Sequence, residues 1–242
     1  MWPKIATIRF EIQDNALPQP VHDPSAVTLV GGGIVSRRDL DLSLSLAPRL
    51  VAADGGANRV AALGHLPEQV IGDLDSIAPD LRTRLGDRVL HVPEQDSTDL
   101  DKCLSRIRAP FVLGLGFDGA RLDHTLAAMT SLTRHGSARV LLLAAEDIVF
   151  LAPPRLHLGL DVGERVSLFP MGQVAGRSTG LHWPIEGIPF LPEALVGTSN
   201  RASAPEVTLH SDRPAMLVLL ERARLTDALR AVLAVPDWHK SL

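Results

Sequence analysis

Short apolar runs alternate with longer segments of helical spacing between Val27 and Ala145, and this alternation constrains the fold more than any other feature of the sequence. The runs are almost continuously apolar, as in "RLVAA" and "PFVLGL", which is typical of parallel strands covered on both faces of a sheet. The intervening segments have the spacing of helices that connect such strands. We therefore predict strands at 26–33, 49–56, 69–73, 88–94, 110–116 and 138–145, with helices at 40–47, 57–63, 79–85, 98–107 and 125–135.

The pattern changes near Pro153 and Pro154. Beyond them, short strand-like runs are separated by Gly, Pro and Ser turns, with little helical spacing until a final amphipathic helix at 226–234. We predict an N-terminal α/β domain with a mainly parallel sheet and helices on both faces, followed by an all-β domain. The predicted domains are residues 27–152 and 155–242, while residues 1–26 form an arm or an edge strand; the strand-like runs of the second domain lie at 155–160, 164–171, 206–211 and 215–221.

Composition limits the class of protein. The chain has 242 residues, a hydrophobic fraction of 45% and a mean hydropathy of +0.14, as a globular protein has, and no apolar run approaches the ~20 residues of a membrane span. The N-terminal segment lacks a signal-peptide pattern. The single cysteine, Cys103, suits a buried position and a reducing cytosol. A net charge of −4 without a Lys/Arg block disfavours a nucleic-acid partner. We expect a cytoplasmic enzyme or small-molecule binder, with neither a membrane nor nucleic acid as partner.

Unusual residues follow the predicted strands, at the edge where open parallel sheets bind ligands. Gly31, Gly32 and Gly33 follow the first strand, and their small size would let the backbone approach a phosphate closely, although a tight turn explains them equally well. Asp54 and Gly55 end the second strand. A dehydrogenase would hold a ribose with an acid at this position, and Asp-Gly-Gly is also strong turn chemistry. This segment alone leaves both alternatives open.

Asp73 and Asp75 stand two residues apart at an apolar strand end. On an extended segment their carboxylates would point to the same side, where their repulsion is costly unless a cation relieves it. Mg²⁺ prefers carboxylate oxygens together with substrate phosphates, so the pair predicts a metal platform for a nucleotide. The alternative is a solvated turn in which Asp75 or Ser76 caps the next helix.

A second acidic loop, "DSTDLDK", carries Asp96, Asp99 and Asp101. Asp96 or Ser97 could cap the helix that follows, and Asp99 would favour its positive end. Capping explains one or two of these acids but not all of them. Lys102 lies one turn after Asp99 on the same helical face, from which it could meet a phosphate beside the metal.

The segment "GFDGARLDHT" places Arg121, Asp123 and His124 ahead of a predicted helix. The planar cation of Arg121 at a Gly-rich strand end suits a polyphosphate. Asp123 is explained equally well as the helix N-cap. His124 alone is more often structural than catalytic, and the other histidines show no metal-ligand spacing.

Six segments taken in order resemble those of the thiamine pyrophosphokinase (thiamine diphosphokinase) family: "ADGGAN", "GDLDS", "DSTDLDK", "LGLGFDGARLDHT", "GLHWP" and "GTSN". Each is weak alone, but together they follow the family's order and approximate spacing over residues 27–221. The segment 119–121, Gly-Ala-Arg, departs from the family's common Gly-Gly-Arg and keeps the arginine. Residues 1–26 lie outside the resemblance.

The resemblance implies an α/β ATP-binding domain, a C-terminal β-sandwich that binds thiamine and a homodimer whose active sites lie between subunits. It implies a Mg²⁺-dependent reaction in which ATP and thiamine give thiamine diphosphate and AMP. The family's metal-binding acids map onto Asp73, Asp75 and Asp99, with Lys102 and Arg121 completing the catalytic set. With the glycine loop, the predicted ATP and phosphate contacts are Gly31, Gly32, Gly33, Asp54, Gly55, Lys102, Arg121 and Asp123, and the predicted substrate contacts are Gln95, Thr98, Thr198, Ser199 and Asn200.

Other activities account for part of the same sequence. Pyrophosphate transfer to another hydroxymethyl heterocycle, such as a pterin, would suit the α/β domain, but "GTSN" and the complete β-domain favour thiamine. A dehydrogenase would explain the glycine loop and Asp54 but neither acidic loop. A non-catalytic thiamine or nucleotide sensor could retain the pocket, but binding alone does not require the acids together with Lys102. The chain has no GxxxxGK[ST] motif, so we expect no P-loop around the phosphates.

Overall fold

The computed structural model describes residues 8–9, 24–119 and 121–235. The chain divides into two compact units, Met1–His135 and Gly136–Leu242. Most of the segment predicted as an arm or edge strand, residues 1–26, lies outside the described residues. None of the described helices combines the length and apolarity that crossing a bilayer requires.

The first unit contains the predicted parallel sheet. Five strands pair in the order β7-β2-β3-β4-β5, and each pair is parallel. A further short parallel pair joins β1 to β6. The strands are β1 (Ile8–Arg9), β2 (Val27–Val30), β3 (Arg49–Ala53), β4 (Gln69–Gly72), β5 (Val89–His91), β6 (Ile107–Arg108) and β7 (Val112–Leu115), and the helices are α1 (Arg37–Leu46), α2 (Gly56–Ala62), α3 (Pro79–Leu85), α4 (Asp99–Leu104) and α5 (Leu122–Arg134).

Burial of β2, β3 and β7 in the first unit explains why their sequences are continuous apolar runs. All four residues of β2 and of β7 are buried, as are the last four of β3. The α4 helix ends before the predicted residue 107, because Ile107–Arg108 forms β6.

The helix caps in the first unit differ from the predicted ones. Thr98, and neither Asp96 nor Ser97, is the N-cap of α4, and its side chain accepts a hydrogen bond from the backbone N–H of the third helical residue. At α5 the N-cap is Arg121, without a side-chain cap, and Asp123 lies in the first turn.

The second unit is an antiparallel β-sandwich, as predicted, with a C-terminal helix. One set of strands pairs in the order β13-β11-β15-β9-β8 and the other in the order β10-β14-β12. Burial alternates along β10, so one face packs inward and the other is exposed. The elements are β8 (Val140–Leu143), β9 (Asp147–Leu151), β10 (Arg155–Gly159), β11 (Arg165–Pro170), β12 (Gly176–Thr179), β13 (Gly197–Arg201), β14 (Glu206–Ser211), β15 (Met216–Glu221) and α6 (Leu225–Leu233).

Candidate active site

Three carboxylates meet at the carboxyl ends of two neighbouring parallel strands. Asp54 follows β3, and Asp73 and Asp75 follow β4. One carboxylate oxygen of each lies within 4.8 Å of the other two. We call these residues the acid triad. Asp99, which the sequence groups with Asp73 and Asp75, does not belong to the acid triad that the described residues form.

Two residues of this site have backbone conformations that L-amino acids rarely adopt. Leu74 has a φ of 67° and Asp54 a φ of 43°. The segment from Asp73 to Asp75 is therefore not the regular extended segment that we expect from the spacing. Leu74 is buried in the core cluster that contains Val70, so the apolar residue between the two acids anchors this segment. Strained backbone of this kind clusters at functional sites, where the surrounding structure holds it in place.

Asp54 is a buried carboxyl group with an unsatisfied oxygen. It is 3% exposed, and its Oδ1 has no hydrogen-bond partner among the described residues. A Cβ on Gly72 would lie 2.7 Å from the Cβ of Asp54, so the close approach of the two strand ends requires glycine. A buried carboxylate beside two others is costly unless a cation compensates it. Oxygen ligands of this kind fit Mg²⁺.

Lys102 and Gln95 contact the acid triad through Asp73. The Nζ of Lys102 lies 3.1 Å from Oδ2 of Asp73 and 3.7 Å from Oδ1 of Asp99. Gln95 donates from Nε2 to the same Asp73 oxygen at 3.1 Å. Only 2% of the Lys102 side chain is exposed. Its ammonium group is therefore a buried countercharge for these acids.

Burial and ion pairing set the pKa values in this region. Burial raises the pKa of Asp73, but the hydrogen bonds from Lys102 and Gln95 outweigh it and hold that pKa below its usual value. Burial lowers the pKa of Lys102, but the hydrogen bond to Asp73 and the charge of Asp99 outweigh it and raise the pKa. Burial, followed by the charge of Asp54, raises the pKa of Asp99 despite Lys102. Asp99 thus experiences repulsion from the triad.

Asp101 connects α4 to α5. Its Oδ2 accepts hydrogen bonds from the backbone N–H and hydroxyl of Thr98, at 3.2 and 2.9 Å, and from Nη1 of Arg134 at 3.1 Å. Its Oδ1 lies 3.1 Å from Nε2 of His135. The Thr98 hydroxyl also lies 3.1 Å from Oγ of Ser131. The predicted substrate contact at Thr98 thus has a hydroxyl that is engaged in the helix cap.

The glycine loop, residues 31–33, packs against the end of β7 and the loop that follows it. The N–H groups of Gly31 and Gly33 donate to backbone carbonyl oxygens there, at 2.8 and 2.9 Å. A Cβ on either residue would lie 2.7 Å from the carbonyl oxygen of Gly116, so both glycines are needed for this contact. Arg59 donates from Nε to the carbonyl oxygen of Gly32 at 3.0 Å. Gly55 is the N-cap residue of α2 and lies next to the triad in sequence.

Arg121 and Asp123 form an exposed bidentate ion pair. Nε and Nη2 of Arg121 donate to the two carboxylate oxygens of Asp123 at 3.2 and 2.6 Å. The hydrogen bond raises the pKa of Arg121 and lowers the pKa of Asp123. The side chains are 67% and 65% exposed. The guanidinium is therefore accessible to an anionic ligand, which would replace the Asp123 carboxylate.

The second unit contains an apolar cleft of about 180 Å³. Trp183 lines it and is 53% exposed. The guanidinium carbon of Arg201 lies 5.3 Å from the centroid of the Trp183 ring, and the His182 ring meets the tryptophan edge-on. The other residues that line the cleft include Ile185, Ile188, Phe190, Leu195, Thr198 and Asn200.

The predicted substrate contacts of "GTSN" differ in their surroundings. Thr198 lines the cleft and is exposed. Asn200 is 4% exposed, and its side chain accepts from the N–H and donates to the carbonyl oxygen of Trp183, at 3.2 and 2.7 Å. Ser199 has a φ of 61°, and its N–H donates to the hydroxyl of Ser167 at 3.0 Å. Asn200 thus fixes the segment that carries Trp183.

Sequence reasoning gave no role to Trp183 or Asn58. The Asn58 side chain donates to the carbonyl oxygen of Ser76 at 2.7 Å and accepts from the N–H of Ala78 at 3.0 Å, which holds the chain just after the triad. A signal for Trp183 exists, because "GLHWP" places a tryptophan in a turn-forming segment. Asn58 likewise ends the segment "ADGGAN", but its partners are 18 and 20 positions away in the sequence, so no local pattern predicts its contacts.

Comparison with known proteins yields consistent matches. A family profile described as "Thiamin pyrophosphokinase, catalytic domain" matches residues 40–142. Thiamine pyrophosphokinase 1 of Oryza sativa subsp. japonica is 30% identical over 244 residues, which cover 85% of this chain and 91% of that protein. Thiamin pyrophosphokinase from Candida albicans shares the fold, with a TM-score of 0.69 and 16% identity over 85% of this chain and 95% of the other. The Geobacillus thermodenitrificans thiamin pyrophosphokinase aligns with a TM-score of 0.65 and 19% identity, covering 81% and 96% of the two chains.

Proposed function

The chain belongs to the thiamine pyrophosphokinase family, and we propose that the acid triad binds the Mg²⁺ that accompanies ATP. The enzyme transfers the pyrophosphoryl group of ATP to the hydroxyl of thiamine, which gives thiamine diphosphate and AMP. One observation carries the assignment of the site. The buried Oδ1 of Asp54 has no hydrogen-bond partner among the described residues, although it belongs to a group of three carboxylates.

Asp54, Asp73 and Asp75 would hold the ion, and Asp99 stands beside them as a fourth acid. ATP carries about four negative charges, so these acids would repel it without a bridging cation. When bound, Mg²⁺ supplies charge neutralisation at the transferring phosphoryl group. The same positive charge would relieve the repulsion from Asp54 that, after burial, raises the pKa of Asp99.

The transfer forms one bond and breaks one. The hydroxyl oxygen of thiamine bonds to the β-phosphorus, and the bond from that phosphorus to the α,β-bridging oxygen breaks, so AMP leaves with the electron pair. A carboxylate of the acidic site accepts the hydroxyl proton. Lys102 acts as a positioning residue, because its buried ammonium holds Asp73 and Asp99 in place.

We assign the nucleotide phosphates to the groups around the same strand ends. Arg121 presents an exposed guanidinium whose fork geometry suits phosphate oxygens. Gly31 and Gly33 bring the glycine loop against the loop that leads to Arg121. Gln95 orients the Asp73 carboxylate that it contacts.

We assign thiamine to the apolar cleft of the second unit, with Thr198, Ser199 and Asn200 around Trp183. The cleft volume of about 180 Å³ is below the ~300 Å³ at which small-molecule sites usually begin. Trp183 and Leu195 are also 53% and 48% exposed. A second subunit would complete the enclosure, so we propose a homodimer.

The activity is tested by AMP release from Mg-ATP with thiamine, with a hydroxymethyl pterin and without an acceptor. We expect AMP with thiamine alone, loss of turnover when EDTA removes the metal, and recovery on adding Mg²⁺. AMP formation with the pterin but not with thiamine would establish the pterin activity instead. Thiamine binding without any AMP would establish a sensor.

A further inference from the structure

The exposed face of β10, β14 and β12 carries a row of two arginines with a histidine between them. The register pairs Arg155 with His210 and His210 with Arg177 across the three strands. All three belong to the outward-facing set of residues, because their respective neighbours Leu156, Leu209 and Ser178 are buried. Since neighbouring strands lie ~4.8 Å apart, the two arginines flank the histidine with their Cα atoms about 10 Å from each other. We call Arg155, His210 and Arg177 the cationic row.

On one side, the next outward-facing row adds polar groups without negative charge, whereas on the other side the exposed Asp212 carboxylate accepts a hydrogen bond from the N–H of Ala175. His157 pairs with Thr208, and Thr208 pairs with Thr179. The Thr208 hydroxyl lies 3.1 Å from Nδ1 of His157. The hydroxyls and imidazole can donate hydrogen bonds to an anion that lies on the cationic row.

A protonated His210 would lie directly opposite two arginines. Like charges in that arrangement are destabilising. Burial, and then the charges of Arg155, Arg177 and His157, lower the pKa of His210. Among the described residues, no carboxylate forms an ion pair with Arg155 or Arg177. Packing of these strands relies on the other face, where Leu156 and Leu209 are buried.

We propose that the cationic row binds the phosphate group of a small phosphorylated molecule. The register places an arginine on either side of His210, and guanidiniums can each form paired hydrogen bonds to phosphate oxygens, to which an imidazolium between them adds a further contact. Nucleic acid fits this surface less well, because the positive charge is confined to three short strands. A second copy related by a two-fold axis through this face would place the row against itself, where like charges repel. None of these residues belongs to the acid triad or to the apolar cleft.

The ionisation of His210 provides a local measurement of binding. The full-length protein is titrated with inorganic pyrophosphate in EDTA, and the imidazole resonance of His210, assigned from its loss in His210→Gln, is followed by NMR against pH. A bound phosphate favours the charged imidazolium. We expect the pKa of His210 to rise on addition of pyrophosphate, and we expect chloride at equal ionic strength to leave it unchanged. An equal response to chloride, or no response to pyrophosphate, overturns the proposal.

Variants separate the cationic row from general charge effects. Arg155→Gln and Arg177→Gln should each weaken pyrophosphate binding about tenfold, as expected for loss of a charge-assisted contact. Arg230→Gln removes the same charge from α6, which packs against β10, and should bind as the unchanged protein does. Equal weakening by all three variants would contradict the site. Parallel titrations with AMP and thiamine diphosphate identify which organic phosphate binds better. The proposal is also overturned if Arg155→Gln and Arg177→Gln bind pyrophosphate as tightly as the unchanged protein and Arg230→Gln do.

Discussion

Asp99 is the residue for which helix stabilisation and metal chemistry compete most directly. Thr98 and Asp101 form the capping box of α4, so Asp99 is not needed for the cap. Its pKa is raised by burial and by the charge of Asp54. An acid whose folded pKa is raised favours the folded state below its unfolded pKa and loses that contribution as pH rises through the folded pKa.

We therefore predict that Asp99→Asn retains its melting temperature at pH 7, or melts slightly higher, because the variant removes a repelled charge. AMP-forming turnover should fall at least about a hundredfold, the scale of losing a catalytic charge interaction, with partial recovery in excess Mg²⁺ or in Mn²⁺. Melting curves and AMP assays measure the two effects. The matched control is Asp80→Asn, which removes an acid from the first turn of α3 and should retain activity. A destabilised Asp99→Asn with normal turnover per folded molecule would assign Asp99 to the helix alone.

Gly72 tests the geometry of the acid triad without changing a charge. In Gly72→Ala the new Cβ would lie 2.7 Å from the Cβ of Asp54, so Asp54 must move away. We expect a loss of about 1–3 kcal/mol in unfolding free energy and a larger loss of kcat than that destabilisation explains, measured on folded protein. Gly172→Ala is the control, because its Cβ would meet only the Cβ of Ala215, at 3.9 Å. Equal kcat values for the two variants would show that the position of Asp54 is not critical.

The sequence predicts contacts between neighbours in the chain better than contacts between strands. Lys102 contacts Asp99 because they lie one turn apart on α4, and that spacing can be read directly from the amino-acid sequence. Asp54 joins Asp73 and Asp75 because β3 and β4 pair in a particular register and because two residues adopt positive φ values. No local pattern encodes either condition, so the sequence predicts Asp54 as a phosphate contact and does not predict that it lies beside Asp73 and Asp75.

Among the elements, α4 carries Asp99 and Lys102, and Asp101 attaches it to α5. Burial raises the pKa of Asp101, but hydrogen bonds from Ser131 and Thr98 and the charge of His135 hold it below its usual value. Burial, partly offset by Asp101, lowers the pKa of His135. A carboxyl group with a lowered folded pKa stabilises the fold above its unfolded pKa, and this contribution is lost as pH falls through the folded pKa.

Asp101→Asn should therefore destabilise the protein by about 1–3 kcal/mol at pH 7, because it removes a charged acceptor from a buried network. The difference in unfolding free energy from the unchanged protein should begin to shrink as pH falls below about 4, the usual pKa of an aspartate in an unfolded chain, and should be lost as pH falls through the lower folded pKa of Asp101. Denaturant unfolding at several pH values measures it. Ser131→Ala removes one neighbour of the network and leaves the carboxylate, so its effect should depend less on pH. A constant difference across the pH range would contradict the role of the Asp101 charge.

The helices and strands of the first unit can be predicted from the sequence because each has its own periodicity of apolar residues. Pro79–Leu85 has the bounds that the sequence predicts, and α5 begins three residues before its predicted start. In the second unit β9, β12 and β13 are missed. The polar, partly exposed runs "GRST" and "GTSNR" lack an apolar alternation, and their pairing with apolar strands makes them strands. Helix ends are less predictable, since pairing of β6 with β1 shortens the segment available to α4.

At the scale of the whole molecule, the proposed homodimer makes a sharper prediction than mass alone. Light scattering should give roughly twice the 26.0 kDa of the chain.

Asp73→Asn alters the proposed metal site and Trp183→Ala alters the proposed thiamine cleft, so the homodimer of each variant should be inactive. If a site combines the acids of one subunit with the cleft of its partner, an equal mixture that exchanges subunits contains half mixed dimers, each with one intact site. Activity should then recover to about a quarter of that of the unchanged protein. A chain that stays monomeric and fully active at assay concentration contradicts the dimer, while a dimer whose exchanged mixture stays inactive places each complete site within one subunit.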